Sequence, residues 1–149
     1  MTVIALAGNP NAGKTSLFNV LTGSWEYVGN WPGVTVEKKV GALRTEGANS
    51  RLVDLPGLYS LSPLTGDEEA AVRCLLHDPV DAVLNVVDAS RLRRSLHLTI
   101  QLAETGLPLV VALNMVDVAR RRGWRIDAGK LSACLGVPVL PVVARTGEG

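Results

Sequence analysis

The stretch GNPNAGKT, residues 8–15, carries two glycines, a lysine and a hydroxyl at the spacing that holds a polyphosphate. Gly8 and Gly13 let backbone N–H groups converge on phosphate oxygens, and a helix opening directly after them adds partial positive charge. Lys14 can reach the β- and γ-phosphates, and the Thr15 hydroxyl can ligate magnesium. None of this needs Asn9 or Asn11. Asn9 reads as a residue that shapes the loop. For Asn11 two readings stand: an amide oxygen that ligates a hard monovalent cation, or an Asx turn that bonds the loop backbone.

Four further motifs each follow or precede a strand. VDLPG (53–57) sets Asp54 at a strand end, where it can hold magnesium through water, and Gly57 where its N–H can meet a γ-phosphate. ALNMVD (112–117) selects the base. Asp117 can accept from the guanine ring N–H and exocyclic amine, whereas adenine offers the opposite pattern. Asn114 can tether neighbouring loops, and Met115 can pack on the base plane where a lysine is usual. WPGVTVE (31–37) supplies Thr35, placed to ligate magnesium in the triphosphate state and let go afterwards. VVARTGEG (142–149) offers a backbone N–H near Ala144 to the guanine oxygen, with Val143 where serine is usual. The expected nucleotide contacts are Gly8, Asn9, Asn11, Ala12, Gly13, Lys14, Thr15, Ser16, Gly33, Val34, Thr35, Asp54, Gly57, Asn114, Met115, Asp117, Val143, Ala144 and Arg145.

Alternating strands and helices must position these residues. TVIALA (2–7), VTVEKKVGALR (34–44), SRLVDL (50–55), DAVLNVVDA (81–89), PLVVALNMVD (108–117) and PVLPVVA (138–144) read as strands. Helices are expected at 14–23, 67–77, 95–106 and 127–136, with loops at 25–33 and after Pro56. The strands at 34–44 and 50–55 read as a hairpin turning through 45–49. Strands apolar throughout, joined by helices, imply a mostly parallel six-stranded sheet with one antiparallel edge strand and helices on both faces. Ligands then bind at the carboxyl ends of the strands.

The 149 residues suit one domain. With 47% hydrophobic residues and a net charge of +1, the chain is neither a disordered segment nor a general nucleic-acid binder. No apolar run reaches the ~18 residues of a membrane span, and no signal peptide is visible. The chain stops at a glycine-rich turn where a covering helix is expected, so it reads as a fragment of a longer protein. Cys74 and Cys134 read as reduced, mostly buried thiols.

GNPNAGKTSLFNVLTG, VGNWPGVTVEKK, DLPGLYSLSPLTGDE, NVVDAS, VVALNMVD and LGVPVLPVVARTGEG together resemble the N-terminal G domain of FeoB-type ferrous iron transporters. The resemblance covers the chain from about residue 3 onward. It implies a Ras-like P-loop GTPase fold, with GTP or GDP and Mg²⁺ as ligands. It also implies a helical domain and a membrane domain elsewhere in the full-length protein, at the cytoplasmic face of the inner membrane. The fragment itself is expected to be soluble, and no nucleic-acid partner is expected. Asn-Met-x-Asp is this family's habitual variant, and Glu26 stands where glutamine is expected.

In that family the asparagine matching Asn11 holds potassium with carbonyls of the first switch loop, here near Gly29 and Trp31. Leu58 occupies the place where Ras-like enzymes carry a water-orienting glutamine, and no arginine lies in the P-loop or in 24–34. Slow hydrolysis follows, with potassium offsetting charge in place of an arginine finger. Asn11, Lys14, Thr35 and Gly57 are the expected catalytic residues; Thr15, Thr35 and Asp54 are the expected magnesium ligands. A soluble ribosome-assembly or tRNA-modification GTPase shares these motifs, as does a nucleotide-dependent module without turnover. The clusters RLRR (91–94) and RRRGWR (120–125) read as solvated helix ends and loops, or as contacts to anionic lipid or a further domain. DEE (67–69) reads as an acidic first helical turn rather than an iron site.

Overall fold

The computed structural model describes residues 1–44 and 49–149, with only the backbone of 24–27. β1 (Thr2–Gly8) lies at the centre of a seven-stranded sheet ordered β2-β3-β4-β1-β5-β6-β7. It pairs in parallel with β4 (Ser50–Asp54) and β5 (Ala82–Asp88), setting Leu6 opposite both Asp54 and Leu84. β6 (Leu109–Asn114) and β7 (Val139–Pro141) extend the parallel part. Ala5, Leu6 and Ala7 are fully buried, as a strand covered on both faces requires.

The edge beyond β4 is antiparallel and wider than expected. β3 (Glu37–Leu43) pairs with β4, and β2 (Thr22–Asn30) pairs with β3. The loop expected at 25–33 is therefore largely a strand, and the sheet has seven strands rather than six. Gly23 and Gly29 and the lack of clear alternation hide it in the sequence. β3 otherwise leaves a row of unpaired backbone groups, and β2 satisfies them, with register shifts at Thr22/Ser24 and Tyr27/Asn30 absorbing the misfit. The hairpin turn expected at 45–49 lies, apart from Asn49, outside the described residues.

The helices carry readable ends. α1 (Lys14–Leu21) begins after Gly13 at φ 94° with no side-chain cap, so its first N–H groups are left for a ligand. α2 (Gly66–His77) opens on Thr65, whose Oγ1 accepts from Glu68 N at 3.2 Å and donates to Glu68 Oε1 at 3.3 Å. That cap, with the Glu69–Arg73 ion pair, accounts for Glu68 and Glu69 of the acidic turn. Among the described residues no His, Cys, Asp or Glu cluster could hold a metal. α3 (Leu92–Glu104) follows a 3₁₀ turn at Ala89–Arg91 and buries Leu98 and Leu102. α4 (Val116–Arg121) begins at Met115 with φ 62°, so the strand expected over 108–117 ends at Asn114 and a short helix follows it. α5 (Ala128–Leu135) is capped by Asp127 and ends at Gly136.

β7 is shorter than the strand expected at 138–144, although Val142 N still donates to Leu113 O at 2.9 Å just beyond it. Cys74 is buried, and burial first, then the Asp78 carboxylate, pushes its thiol up to about 12. Cys134 is exposed, correcting the expectation for it: α5 covers the sheet edge with its other face.

Candidate functional site

β1 delivers the P-loop at its carboxyl end. Ala12 N donates to Asn9 O at 3.1 Å, and Asn11 takes a left-handed φ of 67°. Asn11, Thr15 and Ser16 are exposed at the mouth of the loop. Asn9 is buried, yet its Oδ1 has no hydrogen-bond partner among the described residues, so its backbone rather than its side-chain oxygen holds the turn. Gly8 has no room for a side chain: a Cβ there would lie 2.7 Å from the Val86 carbonyl oxygen.

Lys14 reaches across to β4. Its Nζ lies 3.2 Å from Asp54 Oδ1 and donates to the Leu55 carbonyl at 2.8 Å. Leu58 N donates to Gly8 O at 2.9 Å, which holds the segment after Asp54 on the P-loop. Gly57 abuts Pro10 so closely that a Cβ would approach Pro10 Cγ to 2.8 Å. Leu58 is 0% exposed and has no access to a water nucleophile. The donors Thr15 Oγ1 and Asp54 are hard oxygens, the set that suits Mg²⁺.

The other end of the site is built on β6. Asn114 is 3% exposed and uses both ends of its amide. Its Nδ2 donates to Ala12 O at 2.9 Å, and its Oδ1 accepts from Ala144 N at 2.9 Å. One side chain thus ties the P-loop to the segment after β7. Val143 is buried, and its carbonyl accepts from Thr146 N and Gly147 N, so it shapes that loop.

Asp117 Oδ2 lies 3.1 Å from Arg145 Nη2 and 3.5 Å from Arg121 Nη2. Desolvation pushes the Asp117 carboxyl up. The Arg145 hydrogen bond, the Val118 N–H and the charges of Arg121 and Arg145 outweigh it and hold the group below its ordinary value.

Thr35 is not brought to the metal donors. It is exposed in a loop closed by Trp31 N donating to Val36 O and Val34 N to Trp31 O. Val34 packs on Gly66 of α2, and Pro32 and Gly33 line a shallow cavity with Glu69, Ala70 and Arg73. Among the described residues no hydrogen bond joins Thr35 to the P-loop or Asp54. Trp31 is buried, its Nε1 without a hydrogen-bond partner among the described residues and Lys38 Nζ 4.8 Å from its ring centroid. Gly29 lies in β2 at φ 104°.

Several residues that organise the site escaped the sequence reading. Asn85 Nδ2 donates to Ala7 O at 3.1 Å, just ahead of the P-loop, and its Oδ1 accepts from Thr99. A lone asparagine inside the apolar strand AVLNVVD was the available signal, because a buried amide demands partners. Arg94 sits 4.6 Å from the Tyr59 ring, and Gln101 Oε1 accepts from Leu61 N at 2.7 Å, so α3 holds the segment after Gly57. Nothing local marks those two.

Residues 2–149 match the family model described as Ferrous iron transport protein B. The chain belongs to the FeoB family. It is 55% identical over 144 residues to the Fe(2+) transporter FeoB of Staphylococcus aureus (strain COL), covering 97% of this chain and 21% of that protein. To the Fe(2+) transporter FeoB of Escherichia coli (strain K12) it is 52% identical over 150 residues, covering 98% and 19%. The chain thus spans about a fifth of these curated relatives.

Among solved structures, an S. thermophilus NFeoB variant bound to mGDP superposes with a TM-score of 0.93 at 51% identity, covering all of this chain and 57% of that one. The cytosolic domain of L. pneumophila FeoB superposes with a TM-score of 0.93 at 46% identity, covering 99% and 65%. The fold is accordingly the Ras-like α/β fold of the N-terminal FeoB G domain, as the sequence reading expected.

Proposed function

We propose that this chain is the GTP-binding and GTP-hydrolysing switch domain of a ferrous iron transporter. It works on the cytoplasmic side of the inner membrane, with helical and membrane domains supplied by the rest of a longer polypeptide. The observation that carries the reading is Asn114, which ties the phosphate loop at Ala12 to the base-side segment at Ala144. With Lys14 on Asp54, this supports a reading in which phosphate, metal and base groups share the carboxyl ends of the parallel strands.

Entering phosphates replace the Leu55 carbonyl as the partner of Lys14, and the open N–H groups at the start of α1 receive phosphate oxygens. A magnesium ion held there would offset negative charge on the phosphates. Thr15, Asp54 and, after its loop moves, Thr35 would be its oxygen donors. Gly57 N–H reads the γ-phosphate. Asp117 reads guanine, with Met115 and Arg145 flanking it; the Ala144 N–H donates to Asn114 Oδ1 and reaches the guanine oxygen only once released from it.

Leu58 is buried, and the chain has no arginine at 7–16 or 24–34. Charge growing at the phosphate bridge therefore needs another source, and Asn11, exposed at the loop apex, fits a potassium ion shared with carbonyls near Gly29 and Trp31. The Trp31 carbonyl accepts from Val34 N and keeps a second lone pair for a cation.

Two measurements test the proposal. Displacement of a fluorescent GDP by GTP, with ATP ineffective, is expected; equal competition by ATP sinks the guanine assignment. Single-turnover hydrolysis should be faster in potassium than in sodium, with the difference lost in Asn11→Ala. Equal rates in both salts remove the potassium role and leave the nucleotide reading intact.

A further inference from the structure

The two basic segments are separate in the chain but meet in the fold. Arg122 Nη1 donates to the Ser90 carbonyl at 3.5 Å, and its guanidinium lies 5.6 Å from the Trp124 ring centroid. Trp124 and Ile126 share a groove with Arg91, Leu92, Arg93 and Arg94 at the start of α3. On its other side Trp124 lines a second groove with Val116, Arg120, Arg125 and Pro141. All seven arginines of this face are exposed, and Trp124 is 48% exposed.

The charge is strongly partitioned. Residues 89–98 and 118–126 hold those seven arginines and no acidic residue, leaving eight basic and fourteen acidic side chains for the rest of the chain. Nearby carboxylates are engaged elsewhere: Asp88 accepts from Ser90, and Asp127 accepts from Lys130 N to cap α5. Asp117 draws on the face only through Arg121, at 3.5 Å. A near-neutral protein thus has one cationic face with a half-exposed indole at its centre.

Solvated helix ends explain the arginines but not the tryptophan between two grooves. We propose that this face docks the domain on an anionic lipid surface. The proposal rests on the membrane-transporter reading above. Arginines near such a surface gain from its negative potential, their stems lie along apolar groups, and the indole belongs at the headgroup level. A nucleic-acid groove would interleave several stacking aromatics with the charges. Here one tryptophan is flanked by aliphatic Leu92, Val116 and Ile126.

The test is flotation of the chain with vesicles of phosphatidylcholine alone or in equimolar mixture with phosphatidylglycerol, with fluorescent GDP binding measured on every sample. Partition to the mixed vesicles only is expected, lost as salt rises from about 0.1 M to about 1 M. The double variant Arg93→Glu, Arg125→Glu should lower partition at least about 20-fold, from roughly fivefold per arginine. Trp124→Ala should also lower it. Both variants should bind GDP as the parent does.

A GDP-binding parent that ignores the mixed vesicles overturns the proposal. So do variants that partition like the parent, and so does tighter retention of mixed-sequence RNA than of vesicles. Vesicle partition without GDP binding upholds the docking face and overturns the nucleotide reading instead.

Discussion

Arg145 Nη2 donates a 3.1 Å hydrogen bond to Asp117 Oδ2, the same oxygen that Arg121 approaches at 3.5 Å. The carboxylate proposed to read guanine is therefore held by two guanidiniums before any base arrives, and a base must take over from Arg145.

Because those partners lower its pKa, Asp117 stays ionised below the ordinary carboxylate range. Its contribution is complete above the unfolded value and is lost as pH falls through the lowered folded value. GDP affinity should accordingly show no Asp117 limb between about pH 5 and about pH 8, and Arg145→Ala should move the acid limb upward. Calorimetric titration of GDP against pH checks both. Asp117→Asn replaces an acceptor by an amide that can donate. It should weaken GDP at least about 10²-fold and favour xanthosine diphosphate, whose ring offers a carbonyl in place of the amine.

Asn114 bridges two segments 30 or more residues away. Asn114→Ala leaves Ala12 O and Ala144 N without it, at a cost of about 2–4 kcal/mol in urea denaturation. Nucleotide affinity should fall with it, since the phosphate loop and the base-side segment lose their tie.

Gly57→Ala places a methyl group where Pro10 already is. A Cβ there would also lie 3.1 Å from Pro10 N, which is backbone and cannot swing away. A loss of about 1–3 kcal/mol in stability is expected, the scale of overpacking. An unchanged denaturation midpoint would show that the two loops separate freely.

Thr35→Ala should leave GDP affinity nearly unchanged, because Thr35 is exposed in a loop beside α2 and, among the described residues, makes no hydrogen bond to the P-loop. Single-turnover GTP hydrolysis should drop roughly 10²-fold, as for other losses of one transition-state contact. Equal effects on both would place Thr35 in nucleotide binding generally.

Much of the site was legible because its chemistry is local. Gly8, Gly13, Lys14 and Thr15 lie within one turn and its helix start, so spacing alone sets which atoms converge. Asp54 and Asn114 each end a buried strand, and parallel strands bring their carboxyl ends to one edge. Asn85 was hidden by its apolar strand, although its demand for partners marked it.

What local spacing could not convey are relationships between segments. β2 reads as loop until the free edge of β3 supplies its hydrogen bonds. The Thr35 loop reads as a metal arm, while its rest on α2 depends on the fit of Val34 against Gly66.

From its sequence this protein is a phosphate-loop α/β domain with a guanine-type base motif, since those signals lie in short runs whose geometry the backbone dictates. Only the tertiary structure decided that Arg145 covers Asp117, that the loops Asn114 tethers are those at Ala12 and Ala144, and that two arginine clusters become one face around Trp124. Each joins residues far apart in the chain, and their meeting depends on strand order and helix packing rather than on any residue's own preference.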